Sequence, residues 1–314
     1  MSTSASFSFE LYPPRNAAVA ARMPQTVQRL AAAGPNFISV TYGAGGSSQS
    51  ASLDVLKLLL ETTSVPAMAH LTAVGSTYAE AARVVREFLD AGVRSFLAIR
   101  GDAPDGTAAD APRGDFATAA ELVQLIHRVQ AERAPYREVA LPGSPAVALD
   151  ADGREKVVIA VAAFPNGHPE SRTIDRDIDA LLAKQAAGAN LAITQLFFHA
   201  EDYLSFAQKA KEAGVEFPIL PGIMPVTSPA RLKRMLELSG EDLPSELAIA
   251  LEVEPTDEGR REVGIEYAAS LASRLVAGGA PGIHLYTFNQ AAPALDVLAR
   301  AGLVDSATTE KEPA

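Results

Sequence analysis

The chain has 314 residues, 48% of them hydrophobic, and a formal net charge of −11. That length carries one large domain or two ordinary ones, and the acidic balance argues against nucleic acid or an anionic membrane surface as the main partner. The absence of cysteine removes disulfides, thiolate catalysis and cysteine-ligated zinc or iron–sulfur clusters.

Residues 7–12 (FSFELY) read as a short apolar strand, followed by a helical stretch over about 17–33. Residues 36–46 (NFISVTYGAGG) form a β-branched run ending in glycines, and 53–61 has helical spacing. Residues 66–75 (PAMAHLTAVG) give a third strand, and 78–92 a helix stopped by Gly92. A fourth strand, 94–102 (RSFLAIRGD), precedes a helix over 116–132. The fifth strand, 156–165 (KVVIAVAAFP), leads into a helix to about 187, and the sixth, 190–198 (NLAITQLFF), into a helix after Glu201. The seventh, 217–225 (FPILPGIMP), is followed by two or three helices, and the eighth, 282–289 (GIHLYTFN), by a helix over 291–301.

Such near-continuous apolar strands belong to sheets covered on both faces, and alternation with helices implies parallel pairing through right-handed crossovers. Eight units predict a single-domain α/β fold, a (β/α)8 TIM barrel spanning 1–304. A doubly wound sheet would usually carry a Gly-x-Gly-x-x-Gly turn, and residues 43–48 (GAGGSS) lack that spacing. Residues 133–155, rich in Pro, Gly and charge, predict a long loop on the helix-to-strand side, and 305–314 a disordered tail. No signal peptide is evident and no apolar run nears 18 residues, so a soluble cytoplasmic protein is expected.

Barrel chemistry sits where strands end, at the C-terminal face. Glu10, Thr41, Tyr42, His70, Thr72, Arg100, Asp102, Phe164, His168, Gln195, His284, Tyr286, Thr287 and Asn289 lie at those ends. Polar groups so placed in apolar strands need partners, which predicts one shared site. No metal is expected, because the histidines lack further ligands at useful spacing. Gly101 is expected to let a ligand approach the backbone.

The segments FSFELYPPR, FISVTYGAGG, AHLTAVG, LAIRGDAP, VAAFPNGHPES, AGANLAITQLFF, ILPGIMPVTS and GIHLYTFN, collinear along nearly the whole chain, resemble methylenetetrahydrofolate reductase. The resemblance implies hydride transfer from NADH or NADPH onto FAD, then onto 5,10-methylenetetrahydrofolate, in ping-pong fashion. The product would be 5-methyltetrahydrofolate, the methyl source for methionine synthesis. Likeness to bacterial members favours NADH. The animal members' C-terminal regulatory domain has no counterpart here, so no adenosylmethionine control is expected. Self-association into a homo-oligomer is left open.

Residue by residue, the resemblance makes Glu10 the acid that protonates the folate and opens its five-membered ring. Residues alone leave Glu10 between a proton donor and an outward-facing strand residue. Asp102 matches an aspartate near the flavin ring and the pterin, and Gln195 a contact to pterin or nicotinamide. Thr41, Tyr42, Ala44, His70, Arg100, Gly101, Phe164 and His168 match flavin-contacting positions. Asp177 and Lys184 match contacts to the adenosine and diphosphate portions. Met235, Tyr286, Asn289 and Gln290 match the substrate-facing set. An Arg100–Asp102 salt bridge capping the strand end is the bland alternative for that pair.

Departures cluster around the flavin. Ser48-Gln49 stand where many members have a charged run, Thr118 where they have tyrosine, and Ala180 and Ala183 where they have asparagine and arginine at the diphosphate. Met235 replaces an aromatic, and Gln290 an arginine for the folate tail. These departures imply weakly bound or absent FAD. A flavin-independent reductase with direct hydride transfer is therefore the competing reading. A non-reducing folate- or pterin-binding barrel, and an aldolase-type lyase, are further alternatives. The lyase would want a strand-end lysine or a metal set.

Overall fold

The computed structural model describes residues 6–42, 49–101, 114–133, 137–139, 147–149, 157–168 and 173–305. Its strands are β1 (Ser6–Leu11), β2 (Ile38–Val40), β3 (Ala67–Thr72), β4 (Ser95–Ile99), β5 (Arg137–Val139), β6 (Val147–Leu149), β7 (Val158–Ala163), β8 (Leu191–Thr194), β9 (Ile219–Leu220), β10 (Gly222–Ile223) and β11 (Gly282–Tyr286). The helices are α1 (Ala17–Ala32), α2 (Gln49–Thr62), α3 (Tyr78–Asp90), α4 (Ala119–Arg133), α5 (Ile174–Ala186), α6 (Ala200–Glu212), α7 (Pro229–Ser239), α8 (Ser245–Val253), α9 (Asp257–Ala277) and α10 (Ala291–Arg300).

Among the described residues, nine strands pair in the order β10-β11-β1-β2-β3-β4-β7-β8-β9, each pair parallel. β9 and β10 are the two halves of the seventh expected strand, separated by Pro221 alone. Proline has no N–H to give to a ladder, and the strand changes partners there. β9 pairs with β8 through Ile193 and Leu220, and β10 pairs with β11 through Gly222 and His284. The Pro221 carbonyl still accepts from the His284 N–H at 2.9 Å. The row thus returns on itself as an α/β barrel of eight strand positions, as the alternation predicts.

The segment 133–155, expected as a long loop, instead contains β5 and β6. They pair antiparallel, with Arg137 opposite Leu149 and Val139 opposite Val147. The β-branched ends of the short runs Arg137–Val139 and Val147–Leu149 suit such a ladder. The tail 306–314 and the glycine run 43–46 lie outside the described residues.

Alternation along each strand divides the core. Phe7, Phe9, Leu11, Ile38, Val40, Leu71, Phe96, Val161, Ile283 and Leu285 join the helices in the main apolar layer. Phe37, Met68, Leu97, Ala160, Leu191, Ile193 and Leu220 form a separate cluster filling the barrel interior. Fully burying side chains such as Phe9 and Phe96 stabilises the fold by roughly 1.5–3 kcal/mol each. Several helices that leave the C-terminal face start on a side-chain cap. Asn16 caps α1, Thr173 caps α5, Ser228 caps α7, and Thr77 forms a reciprocal capping box with Glu80 on α3.

Candidate active site

With Phe7, Phe9 and Leu11 spent on the helical layer, period 2 turns Ser8 and Glu10 to the barrel interior. Glu10 is in register with Ser39 on β2 and Tyr286 on β11. Its Oε2 lies 3.5 Å from His70 Nε2 and 3.9 Å from His284 Nε2. A second interior contact fixes one of these rings: Ser8 Oγ and His284 Nδ1 are 2.8 Å apart. Neither Nε2 atom has a hydrogen-bond partner, and the buried hydroxyls of Ser39 and Thr41 have none either. Such unsatisfied polar atoms, two of them 3.5 and 3.9 Å from the Glu10 carboxylate, are costly in an apolar interior and suit the place to a polar ligand.

Burial pushes the His70 imidazole down to about 4; Glu10 opposes the shift and His284 adds to it. His70 is therefore neutral near pH 7, and Glu10 has no imidazolium beside it from that ring. Burial also drives the Tyr286 phenol well upward, with the Glu10 charge adding to the effect. Tyr286 stays a hydrogen-bond donor, and its hydroxyl gives its proton to the Thr194 carbonyl at 2.6 Å.

Other expected residues come to the same face in different ways. Thr41 reaches the interior, and its carbonyl accepts from Ser52 Oγ at 2.8 Å. Tyr42 turns outward instead and packs edge-on against Phe88 of α3 at 6.1 Å. Gln195 follows β8, and its Oε1 accepts from the Leu196 N–H at 2.8 Å. Met235 is buried with Leu196, Phe198, Met224, Leu232 and Leu251, beside Tyr286 and Phe288. Gln290 is exposed at the start of α10. Ala44 and Asp102 lie outside the described residues, as do Ser48 and the side chain of Gln49. The departures Thr118, Ala180 and Ala183 fall on or just before α4 and α5.

Around β7, Phe164 and His168 pack edge to face at 4.6 Å. Asp177, buried in the first turn of α5, accepts the His168 N–H at 3.1 Å and so holds the loop between β7 and α5. Lys184 donates from Nζ to the Ala162 carbonyl at 2.8 Å. Burial lowers its ammonium to about 8, Asp177 opposes that shift, and Arg100 adds to it. Lys184, Asp177 and Arg100 thus share one electrostatic neighbourhood. Gly101 has φ +84°, and a Cβ there would meet Val74 Cγ1 at 2.7 Å. The fold itself therefore demands glycine at this strand end.

Asn289 lies on the turn after β11. Its Oδ1 accepts the Tyr12 N–H at 3.0 Å, and its Nδ2 donates to the Tyr12 carbonyl at 2.8 Å. Thr287 Oγ1 donates to the Glu10 carbonyl at 2.7 Å. This turn therefore pins the backbone on either side of the Glu10–Tyr12 segment. Ser8, Ser39 and the Ala162 carbonyl are absent from the expected site, and His284 is present there only as one strand-end polar group. Counting back by two from Glu10 and Tyr286 reaches Ser8 and His284 and was the available signal.

Among the described residues, no group of three or more His, Asp or Glu side chains is arranged to hold a metal ion. None of the described helices is long and apolar enough to cross a membrane.

The methylenetetrahydrofolate reductase family model matches residues 1–302. The chain is 33% identical over 285 residues to the 5,10-methylenetetrahydrofolate reductase of Salmonella typhimurium, covering 90% of this chain and 86% of that protein. It is 30% identical over 310 residues to methylenetetrahydrofolate reductase (NADH) 1 of Arabidopsis thaliana, covering 95% of this chain but 48% of the plant protein. Among solved structures, an uncharacterized protein from Clostridium thermocellum that binds two copies of 5-methyl-5,6,7,8-tetrahydrofolic acid superposes with a TM-score of 0.59. That match covers 97% of this chain and 95% of the other at 13% identity, a likeness of fold. With the family model running from the first residue to the end of α10 and beyond, the chain belongs to the methylenetetrahydrofolate reductase family.

Proposed function

We propose that this chain reduces 5,10-methylenetetrahydrofolate to 5-methyltetrahydrofolate, with NADH or NADPH as hydride source and FAD as the carrier between them. The observation that supports the reading best is Glu10, held inside the barrel mouth against two imidazole nitrogens that lack other partners. A binding module has no need of a carboxylate so placed. In its protonated form, Glu10 gives its proton to the folate nitrogen that leaves the methylene bridge as the five-membered ring opens. The remaining iminium carbon then takes the hydride and becomes the methyl group, so charge and atoms balance. His70, neutral at working pH, places no imidazolium beside the Glu10 carboxyl.

The residues fit a flavin in part. The unpartnered hydroxyl of Thr41 and Nε2 of His70, the backbone at Gly101, and the His168–Asp177–Lys184 group are the candidates to hold it, with Arg100 beside Lys184. FAD, when bound, supplies a two-electron relay between nicotinamide and folate. Arg100, His168 and Lys184 would orient the diphosphate side, and Thr41 and His70 the ring side. Asp102 and Gln195 remain the proposed contacts to the pterin.

One observation favours the flavin-independent alternative. Lys184 already donates to the Ala162 carbonyl, and Ala180 and Ala183 bring no charge to the diphosphate. The deciding experiment is steady-state nicotinamide oxidation by freshly purified protein, with its absorbance spectrum recorded before and after adding FAD. Turnover with both methylenetetrahydrofolate and menadione, together with a flavin spectrum, supports the flavin route. Turnover with folate alone and no flavin binding supports direct transfer. Turnover with neither acceptor removes the reductase reading.

A further inference from the structure

His284 is fully buried inside the barrel, and so is Ser8, its register partner across the β1–β11 ladder. Two rings hold the imidazole in place. Phe37 stacks on it at 5.8 Å with the planes 21° apart, and Tyr286 meets it edge-on at 5.2 Å. The backbone is held as well, the His284 N–H donating to the Pro221 carbonyl at 2.9 Å. The ring is thereby set with Nδ1 2.8 Å from Ser8 Oγ and Nε2 3.9 Å from Glu10 Oε2. A serine and a histidine so deeply buried cost stability unless each gives the other a partner.

The direction of the Ser8–His284 hydrogen bond decides what Glu10 faces. A neutral imidazole carries one N–H, and the partner of one nitrogen sets which nitrogen bears it. Among the described residues Ser8 Oγ has one partner, His284 Nδ1. Were Nδ1 to carry the hydrogen and donate, the Ser8 hydroxyl would accept, and its own proton would be an orphaned buried donor. With Nδ1 as acceptor, the serine proton is satisfied. The ring hydrogen then lies on Nε2, the atom that has no hydrogen-bond partner and faces the Glu10 carboxyl.

Resting on the reductase reading above, we propose that Ser8 and His284 are positioning residues for the proton donor. Ser8 locks His284 as the Nε2–H tautomer, and that N–H steadies the carboxylate that Glu10 becomes. The Glu10 proton goes to the folate nitrogen as the carbon–nitrogen bond breaks and leaves its electron pair there. His284 keeps its own proton throughout and donates a hydrogen bond to Oε2. A donor aimed at charge that forms only as the proton leaves favours the transition state over the ground state. The 3.9 Å separation is longer than a hydrogen bond, and catalytic contacts of this kind tighten in the reacting complex. Both residues act through Glu10 rather than on the folate.

Two measurements test this, and the first needs no folate. The chain has five histidines, so nitrogen–proton correlation spectra of protein labelled in its histidine rings are simple, and the peaks lost in His284→Gln assign that ring. At pH 7 the hydrogen should sit on Nε2 with Nδ1 bare, and Ser8→Ala should give mixed tautomers. Hydrogen on Nδ1, or on both nitrogens, in wild type would overturn the proposal. The second is a double-mutant cycle on single-turnover folate reduction. His284→Phe keeps a ring against Phe37 but has no N–H. It should lower kcat roughly 10- to 100-fold, the worth of a charge-assisted hydrogen bond, with KM nearly unchanged. His284→Gln, which restores a side-chain N–H, should recover part of the loss, and Ser8→Ala should show a smaller fall. In a Glu10→Gln background, His284→Phe should cost nothing further, because no carboxylate is left to steady. Equal falls in both backgrounds would make the pair structural and overturn the proposal. Melting temperatures control for folding, and Ser8→Ala carries the same cycle if His284→Phe unfolds. The Nε2–H tautomer in a protein that turns over no folate would remove the reductase reading alone, and full turnover with the hydrogen on Nδ1 would remove the tautomer lock alone.

Discussion

His70 Nε2 lies 3.5 Å from Glu10 Oε2 inside the barrel mouth and has no hydrogen-bond partner. The pairing is not an ordinary salt bridge, because burial lowers the imidazole to about 4. An unfolded histidine takes up its proton near pH 6.5, whereas the folded ring resists until about pH 4. Between those values the unfolded state binds more protons, so stability rises with pH across that window and falls on acidification. The span corresponds to roughly 2–4 kcal/mol. Urea unfolding at pH 7, 5.5 and 4.5 should show this slope in wild type and a flatter one in His70→Gln. An unchanged slope in the variant would move the acid sensitivity to other groups.

Glu10→Gln keeps the shape of the site and removes the proton. Folate reduction should fall by roughly 10²–10⁴-fold, the usual contribution of a general acid. Nicotinamide oxidation by menadione should persist if flavin is the carrier. Stopped-flow measurement of the two half-reactions separates them, and near-normal folate reduction would make Glu10 a structural residue.

Lys184 is the remaining side-chain cation on the α5 face proposed for the diphosphate. Lys184→Ala should weaken FAD binding by about 10-fold or more, and Ala183→Arg should strengthen it. Both effects should shrink with salt. Because burial lowers the ammonium to about 8, wild-type affinity should also decline as pH rises through that value. Flavin-fluorescence titrations at two ionic strengths and three pH values test this. Tight binding unaffected by Lys184→Ala would place the diphosphate elsewhere.

Asn289→Ala removes both hydrogen bonds to the Tyr12 backbone and releases the turn at Phe288, strained by its φ of +51°. The expected cost is roughly 1–3 kcal/mol of stability, with a drop in turnover because the Glu10–Tyr12 segment loses its anchor. Thermal unfolding and steady-state kinetics on the same preparation check both. A stable but inactive variant would instead favour direct substrate contact by Asn289.

The barrel and the order of its strands and helices were legible in the residues, whereas the β5–β6 hairpin within the expected loop was not. Apolar runs such as KVVIAVAAFP and helical repeats such as YAEAARVVREFLDAG differ in period, and local pattern alone separates them. The family segments added roles for Glu10, Gln195 and Lys184 by likeness. What lay beyond local pattern was direction and partnership. A strand buried on both faces has no polar side to mark its register, so only the assembled barrel turns Thr41 inward and Tyr42 outward. Period 2 offered Ser8 and His284 as neighbours of Glu10, but their convergence depends on parallel pairing between strands 276 residues apart in sequence. The break at Pro221 arises where the seventh strand passes from β8 to β11, and the commitment of Asn289 to Tyr12 only when the last strand closes against the first. Closure joins segments from opposite ends of the chain, and a local pattern carries no information about contacts at that separation.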